Sequence, residues 1–378
     1  MNYTRGESMS NLPFLFNYQS EKVNLNNLSK DIDFRNNMRK IYGSNLEITK
    51  EQDTVLIFTR LHDDEVNFIG PYLAKENINY IRIDADYFLD DFKMTTSITG
   101  GHVDTIIYYK DELINMSNVK LIWNRHFDKE AFRSNLKNPV AIQYVLQEWE
   151  AVLNFLYQIP HIKWINNPVD TKAASKPQQL IMAGNVGFKV LDTMITNVPA
   201  DVLNISKDKE IFFKASHHHF VEYPAGILNS LYGKKLDDKD KTKMGDLVHC
   251  PMIFQEMVTN LEEVRVTVFN DLIFSAKYTN KISDDWHHDE LTKIKLEEIE
   301  TPEVVKIRCI NMLKCLNLQY GAFDFFKTDD DNWIFIEVNP IGDWRWVELK
   351  TNFHITISFV EFIKEMMWEV KCNGVKSL

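Results

Sequence analysis

From residue 54 onward, short apolar runs alternate with segments of helical spacing, and this alternation constrains the fold more than any other feature of the sequence. Residues 55–59 and 78–83 are apolar runs, and residues 65–76 between them place apolar side chains three and four positions apart. That order predicts a β-α-β unit, because parallel strands need a crossover connection, which is usually a helix. A long amphipathic segment, residues 140–157, follows after two more strand-like runs. We therefore predict an N-terminal α/β domain.

The second half of the chain mixes strands and helices in another order. Alternating runs at 264–269 and 272–278 flank Asn270-Asp271, which is typical of a β-hairpin. Because the 378 residues exceed the roughly 250–300 that one hydrophobic core usually serves, we expect several domains of α/β and α+β type. The expected boundaries are residues 1–50 for an extension, 51–166 for the α/β domain, 167–254 for a central subdomain and 255–378 for a C-terminal subdomain with an antiparallel sheet.

Charge and composition argue against several classes of protein. Acidic residues outnumber basic ones by 54 to 43, and the formal net charge of −11 disfavours general binding to a phosphate backbone. No run approaches the ~20 apolar residues of a membrane-spanning helix, and the first ten residues lack the apolar centre of a signal peptide. We expect a cytoplasmic protein without nucleic-acid or membrane partners. The four cysteines show no CxxC spacing and are expected to be reduced.

Three oxygen-bearing side chains fall on a second predicted hairpin, residues 321–327 and 333–338, around an acidic turn. If the turn is centred near Asp330, antiparallel pairing places Asp324 about opposite Glu337, and Asn339 shares the face of Glu337 because strand side chains alternate. Two facing carboxylates among apolar neighbours repel each other unless a cation lies between them. Oxygen ligands suit Mg²⁺ or Mn²⁺. The alternative is a solvated polar face on an edge hairpin.

Several basic residues follow strand-like runs and are candidates for phosphate binding. Lys214 ends the run 211–213, Lys172 lies in a loop before a helix predicted to begin with a capping box at Ser175, and Arg265 lies on the strand after Glu263. Each of the three could equally be a surface side chain or pair with a nearby acid. The sequence shows neither a P-loop motif nor a GxGxxG motif.

Two polar loops are weaker candidates for substrate contact. Neighbouring side chains of an extended chain point in different directions, so the first loop is a poor zinc site, and phosphate or substrate contact is the other functional possibility. The second contains a tryptophan that could contact a substrate or cap the core. The loops consist of His217, His218 and His219, and of Asp285, Trp286 and His287.

The order of these motifs resembles the ATP-grasp ligases, and more closely the ribosomal peptide maturases that make microviridins and other graspetides, including the branch associated with grasp-with-spasm systems. The resemblance covers about residues 54–370. It rests on Asn167-Pro168 with Lys172, Phe213-Lys214, 254–258, 263–268, Asp324, Glu337-Val338-Asn339-Pro340, and the closing Trp344-Arg345-Trp346-Val347-Glu348. It implies an ATP-grasp fold with an N-terminal pre-ATP-grasp domain.

The resemblance also implies roles. Lys172 and Lys214 would hold ATP phosphates, Asp324, Glu337 and Asn339 would bind two Mg²⁺ ions, and Arg265 would steady the γ-phosphate or the acyl-phosphate. Adenine would lie along Gln255, Glu256, Met257 and Val258, and ribose at Glu263. Lys172, Lys214, Arg265 and Arg345 would give a basic cleft for an acidic precursor peptide. Related enzymes suggest a homodimer.

The predicted activity is ATP-dependent linkage of Asp or Glu side chains to Thr or Ser hydroxyls or to Lys amines, which forms ω-ester or ω-amide macrocycles in a ribosomal precursor peptide. One alternative is an ATP-grasp ligase acting on a small molecule or amino acid. A second alternative is a non-catalytic peptide-binding protein on a degenerate ATP-grasp fold.

Overall fold

The computed structural model describes most of the chain, and we number its strands β1–β20 and its α-helices α1–α10 in chain order. The described residues are 22–24, 52–110, 112–133, 136, 138–217, 220–222, 227–230, 232–259, 261–279 and 294–374. They form five sheets. Of the predicted extension, only β1 (Lys22–Asn24) is described.

The N-terminal domain is built on a four-stranded parallel sheet in the order β3-β2-β7-β8. Helix α1 (Asp64–Lys75) connects the first two strands in sequence, so the predicted β-α-β unit is confirmed. All six residues of β2 are buried, as expected for a parallel strand covered on both faces. The strands are β2 (Thr54–Thr59), β3 (Asn79–Asp84), β7 (Val119–Asn124) and β8 (Lys163–Ile165).

The two faces of this sheet have separate cores. One face packs around Phe88 at the start of α2 (Phe88–Asp91) and receives Trp149 from α3 (Pro139–Leu156). The other face packs against α10 (Ile355–Gly374), where Trp123 of β7 contacts Phe359. The C-terminal helix therefore returns to the N-terminal domain. An antiparallel sheet adjoins this domain and consists of β4 (Phe92–Thr99), β5 (His102–Tyr109) and β6 (Glu112–Asn115).

The C-terminal part contains a six-stranded sheet in the order β18-β17-β16-β19-β20-β9. Both predicted hairpins are confirmed: β16 pairs with β17 around Asn270, which has a φ of 53°, and β19 pairs with β20. Helix α8 (Glu303–Cys315) covers one face through Val305 and Met312. The strands are β9 (Lys189–Val190), β16 (Glu262–Phe269), β17 (Leu272–Tyr278), β18 (Leu296–Glu298), β19 (Tyr320–Lys327) and β20 (Trp333–Asn339).

Between these parts lies a four-stranded antiparallel sheet in the order β10-β15-β11-β14, whose core includes Val202 and Phe213. Its strands are β10 (Thr193–Thr196), β11 (Ile211–Lys214), β14 (Lys234–Lys235) and β15 (Met252–Glu256), and the helices beside it are α6 (Pro199–Ile205) and α7 (Asp238–Thr242). A small sheet joins β1 to β13 (Ile227–Ser230), which also pairs with β12 (Phe220–Glu222).

Two short helices link the N-terminal domain to the rest, and here the structure corrects the sequence prediction. The predicted loop around Lys172 is helix α4 (Pro168–Ala173), capped by Asn167. The next helix, α5 (Lys176–Asn185), begins where predicted, but the Ser175 side chain makes no capping hydrogen bond, so the predicted capping box is wrong. A helix that starts with Pro177 in its first turn already lacks one of the amide donors that a cap would satisfy.

Another short helix, α9 (Arg345–Glu348), follows the loop after β20. Among the described residues, no helix has both the length and the hydropathy that crossing a lipid bilayer requires.

Candidate active site

Three charged residues form a row across neighbouring strands of the six-stranded sheet. Arg265 on β16 lies opposite Asp324 on β19, and Asp324 lies opposite Glu337 on β20. The predicted pairing of Asp324 with Glu337 is therefore confirmed. Asn339 lies two residues further along β20, opposite Ala322, and so faces the same side of the sheet as Glu337.

Asp324 and Arg265 form a buried ion pair in which one guanidinium nitrogen contacts both carboxylate oxygens. The Arg265 Nη1 atom donates to both carboxylate oxygens of Asp324, at 3.0 and 2.9 Å. Burial alone would lower the pKa of Arg265, but the charge of Asp324, its hydrogen bonds to the guanidinium and the nearby Tyr278 and Tyr320 together raise this pKa. The guanidinium thus stays charged, and the pair fixes the centre of the row.

The loop after β20 closes over this ion pair. A Cβ atom added at Gly342 would lie 2.7 Å from Arg265 Nη2 and 2.6 Å from the Cβ of Ala322, so any larger residue would displace the loop. The Arg265 Nη2 atom also lies 3.5 Å from the carbonyl oxygen of Asp343.

Two lysines from different parts of the chain converge on Glu337. The Lys176 Nζ atom, at the start of α5, lies 3.0 Å from Glu337 Oε2, and the Lys214 Nζ atom, at the end of β11, lies 3.9 Å from the same oxygen. All three side chains are less than a fifth exposed. Two ammonium groups beside one carboxylate leave a net positive charge, which suits an anion such as a phosphate chain.

Gln179 explains how Lys176 reaches this position. Its side-chain amide donates to the carbonyl of Val338 at 2.9 Å and accepts from the Val338 N–H at 3.0 Å. These two bonds anchor α5 to the edge of β20 between Glu337 and Asn339. Because residues three apart share a helix face, Lys176 points to the same edge. The sequence analysis missed Lys176, and its only signal was a lysine in the first turn of the predicted helix.

Lys172 does not join this group. Its side chain is 82% exposed, and its Nζ atom lies 4.0 Å from Glu150 on α3. Lys176, four residues later and one helix further on, is the lysine that contacts Glu337 together with Lys214.

The donor set fits a divalent cation that prefers oxygen. Asp324 and Glu337 supply carboxylate oxygens, and the Asn339 Oδ1 atom is oriented by the N–H of Ile341 at 3.0 Å. Within the described ranges, no cluster of three or more histidine, cysteine, aspartate or glutamate side chains could hold a metal. Two carboxylates and one amide oxygen are hard ligands, and such ligands suit Mg²⁺ or Mn²⁺.

The residues predicted to line a nucleoside lie at the end of β15 and the start of β16. Gln255 is buried and donates to Thr193, Glu256 is exposed and pairs with Lys209, and the N–H of Met257 donates to the carbonyl of Glu210. Val258 is half-buried and Glu263 is buried.

The remaining predicted contacts fall elsewhere or outside the described residues. Arg345 does not join the lysines; its guanidinium lies over the ring of Phe68 on α1 at 5.0 Å and 3.8 Å from Asp64. His217 is exposed. His218, His219, Asp285, Trp286 and His287 lie outside the described residues.

A second charged group, also missed by sequence analysis, joins the N-terminal domain to the loop after β20. Arg125, directly after β7, pairs with Asp63 at 2.8 Å and with Asp343. Its guanidinium lies 5.6 and 5.7 Å from the ring centroids of Trp123 and Trp344, which stack on each other. This arginine is 2% exposed. The loop that covers Arg265 is thus held by a residue of another domain.

Glu65 holds the same loop through its backbone. Its Oε1 atom accepts the N–H groups of Trp344 and Arg345, both at 2.8 Å, while its Oε2 atom is buried with no hydrogen-bond partner among the described residues. Burial raises the pKa of Glu65 to about 7 despite the nearby positive charge of Arg125.

The parallel N-terminal domain, the central antiparallel sheet and the hairpin bearing two carboxylates define an ATP-grasp fold. Residues 54–172 match the family model described as the MvdD pre-ATP grasp domain. No curated protein sequence matches the chain.

Solved structures of the same fold cover most of the chain. A RiPP-associated ATP-grasp ligase from Chryseobacterium gregarium, in complex with ADP and a leader and core peptide, is 21% identical with a TM-score of 0.73 over 83% of this chain and 97% of that one. The macrocyclase MdnC from Microcystis aeruginosa MRC, bound with precursor peptide MdnA, is 22% identical with a TM-score of 0.71 over 82% and 98%. The ATP-grasp ligase PsnB, complexed with a minimal precursor, is 17% identical with a TM-score of 0.68 over 85% and 99%. The predicted ATP-grasp fold is confirmed.

Proposed function

We propose that the protein is an ATP-dependent ligase that activates Asp or Glu side chains of a ribosomal precursor peptide and links them to hydroxyl or amine side chains within it. The observation that carries this proposal is the convergence of Lys176 and Lys214 on Glu337, beside the Arg265–Asp324 pair. In an ATP-grasp fold, this point lies where the central sheet, α5 and the C-terminal sheet meet.

In this proposal the phosphates of the nucleotide replace the Glu337 carboxylate as the partner of Lys176 and Lys214. Lys176 and Lys214 would bind the phosphates as point charges, while Asp324, Glu337 and Asn339 would hold two Mg²⁺ ions, with Mn²⁺ as the other suitable metal. The ion supplies neutralisation of the charge that develops on the transferred phosphoryl group. Residues 255–258 line the adenine and Glu263 lies at the ribose. Lys172 has no part in binding the nucleotide.

The chain's own residues mainly position the reacting groups. Arg265, held by Asp324 and covered by the loop at Gly342, is placed to stabilise the oxygens of the γ-phosphate and of the acyl-phosphate. The peptide carboxylate attacks the γ-phosphorus and ADP leaves; the hydroxyl or amine then attacks the acyl carbon, loses its proton and displaces phosphate. Exclusion of water protects the activated acid from hydrolysis.

A peptide substrate and a homodimer complete the proposal. Two similar structures, those from Chryseobacterium gregarium and Microcystis aeruginosa, contain a precursor or leader and core peptide, and we transfer that substrate class to this chain. Linkage through hydroxyl groups gives ω-esters, and linkage through Lys amines gives ω-amides.

The test uses the full-length protein, Mg-ATP and the candidate precursor peptide encoded beside its gene. Mass spectrometry should show a product lighter by one water per linkage, and Lys214→Met should abolish this loss of mass because one phosphate contact is gone. An unchanged peptide mass with the wild-type protein, or full activity of Lys214→Met, contradicts the proposal.

A further inference from the structure

A second set of cationic side chains lies at the carboxyl edge of the parallel N-terminal sheet. Arg60 directly follows β2, and Asp86 comes two residues after β3, its parallel neighbour. Arg133 lies in the chain that follows β7, on the other side of β2. Ligands of α/β sheets bind at this edge, beyond the carboxyl ends of the strands.

Asp86 bridges the two arginines. Its Oδ1 atom lies 3.2 Å from Arg60 Nη2 and 3.3 Å from Arg133 Nη2, and its Oδ2 atom accepts the N–H of Leu61 at 2.8 Å. The Asp86 side chain is 2% exposed, whereas those of Arg60 and Arg133 are 18% and 38% exposed. A buried carboxylate therefore holds two guanidinium groups side by side while both still reach solvent.

Arg82 makes this arrangement rigid. It pairs with Asp84 at 2.6 Å and donates to the carbonyl groups of Arg60 and Leu61. The backbone that carries Arg60 is thus held by Arg82 on one side and by Asp86 on the other. A preorganised site loses little conformational entropy when its ligand binds.

The local charge is positive although the whole protein is acidic. Arg60, Arg133 and Asp86 together carry one net positive charge, and the neighbouring Lys110 lies 3.9 Å from Asp84. The Arg133 Nε atom is buried and has no hydrogen-bond partner in the described part of the chain. An anion that approaches from solvent would contact the exposed parts of the two guanidinium groups.

This set connects to the active-site loop through a short series of contacts. The hydroxyl of Thr59, next to Arg60 in the chain, donates to Asp63, which pairs with Arg125. Arg125 in turn pairs with Asp343, whose carbonyl lies beside Arg265. An anion at Arg60 and Arg133 would therefore lie on the side of the N-terminal domain that meets the proposed catalytic centre.

We propose that Arg60 and Arg133, held by Asp86, form a binding site for a side-chain carboxylate of the acidic peptide substrate. The planar guanidinium matches a carboxylate through two parallel hydrogen bonds, which gives direction as well as charge. The identity of the ligand rests on the proposed function, while the site itself rests on the geometry. Its effect is to place one acidic residue of the peptide while another is activated at the lysines.

The experiment compares two variants that remove one positive charge from the same segment. Arg133→Gln removes a guanidinium of the site, and Lys129→Gln removes the surface partner of Glu150 four residues earlier. Binding of the fluorescently labelled precursor peptide is measured by anisotropy for each protein, with the native acidic core and with every core Asp and Glu changed to the amide. Steady-state kinetics give the KM for peptide and for ATP.

We expect Arg133→Gln to weaken binding of the acidic peptide about tenfold, as loss of a charged hydrogen bond does, and to leave binding of the amide peptide unchanged. The KM for peptide should rise while the KM for ATP stays constant. Arg133→Lys should bind the acidic peptide with intermediate affinity, because lysine keeps the positive charge but cannot form two parallel hydrogen bonds to a carboxylate. Lys129→Gln should match wild type. Equal losses for both peptides, or no loss for either, overturn the carboxylate site. If the wild-type protein binds both peptides alike and links neither, the proposed function itself fails.

Discussion

At the scale of single residues, Glu337 and its two lysines carry most of the functional argument, because they come from three separate elements. Lys176 and Lys172 provide a natural comparison. They are four residues apart and have the same charge, but only Lys176 lies within 3.0 Å of Glu337, whereas Lys172 is on the surface.

Replacing each lysine by methionine distinguishes the contributions of Lys176 and Lys172 to activity. Lys176→Met should lower kcat/KM for Mg-ATP by about a hundredfold or more, since a preorganised charge at a transferring phosphate contributes several kcal/mol to the transition state. Lys172→Met should remain within about twofold of wild type. Coupled assays of ADP release measure both. Equal effects of the two substitutions would contradict the assignment of Lys176.

Neutralising Asp324 and neutralising Glu337 should have different effects on the stability of the protein. Asp324→Asn leaves the buried guanidinium of Arg265 without its counter-charge and should lower the free energy of unfolding by roughly 3–5 kcal/mol. Glu337→Gln should cost much less, because its side chain is partly exposed and its lysine partners reach solvent. Urea denaturation measures both, and ligation activity should be lost in both. A larger loss for Glu337→Gln would show that Asp324 and Arg265 are not the buried pair.

Some of the site follows from local patterns and some does not. That Asp324 lies about opposite Glu337 was predictable from the position of the turn, because a short turn sets the register of the two strands that it joins. The register next to the turn, with Phe325 opposite Phe335, would pair Asp324 with Ile336, and a register shift after Phe325 brings Glu337 opposite Asp324 instead. The role of Lys176 was not predictable, because it depends on helix α4 and on the bonds from Gln179 to Val338, 159 residues away in sequence. The Arg125–Asp343 pair spans 218 residues, and no local spacing indicates such a contact.

At the scale of elements, the edge of β20 is completed by a side chain. Strand β9 pairs with β20 only at Ile334 and Phe335, and further along the same edge Gln179 bonds both backbone groups of Val338. One glutamine thus acts as the next backbone partner of the strand and fixes the distance between α5 and the carboxylates.

Removing this glutamine should loosen α5 from the sheet. Gln179→Ala leaves the buried N–H and carbonyl of Val338 without partners and should cost about 1–3 kcal/mol of stability, together with a higher KM for ATP through the displaced Lys176. Gln178→Ala shortens the adjacent side chain of the same helix and serves as control. Thermal unfolding and ATP kinetics should change for Gln179→Ala alone, and similar effects of both would contradict this account of the edge.

The N-terminal domain and the ATP-grasp core, at the scale of the whole molecule, meet at Glu65 and Arg125. Burial raises the pKa of Glu65 from 4.5 to about 7, so the folded protein binds a proton more tightly than the unfolded chain. The sign follows from linkage: between about pH 4.5 and 7, this group makes the protein less stable as pH rises.

Glu65→Gln should remove that dependence. The amide of Gln still accepts the N–H groups of Trp344 and Arg345 but does not titrate. Between the acid and the neutral end of this range, the free energy of unfolding of wild type should therefore fall by on the order of 3 kcal/mol relative to that of the variant. Urea unfolding at both ends of the range measures the difference. A constant difference between wild type and variant would contradict a raised pKa for Glu65.

The architecture of the whole molecule was largely predictable from the sequence, since the β-α-β unit and both hairpins follow from apolar periodicity and turn residues. The return of α10 to the N-terminal sheet was not, because its partners, such as Trp123, lie more than 200 residues earlier in the chain. Packing over such separations depends on the whole fold rather than on local pattern.

The most direct test of the central claim follows an oxygen atom. Precursor peptide whose Asp and Glu carboxylates carry a heavy oxygen isotope is incubated with the wild-type protein and Mg-ATP, and the released phosphate is analysed by mass spectrometry. If the carboxylate is activated as an acyl-phosphate, one labelled oxygen should appear in phosphate for each linkage formed, and none with Glu337→Gln. Linked peptide accompanied by unlabelled phosphate would contradict this account.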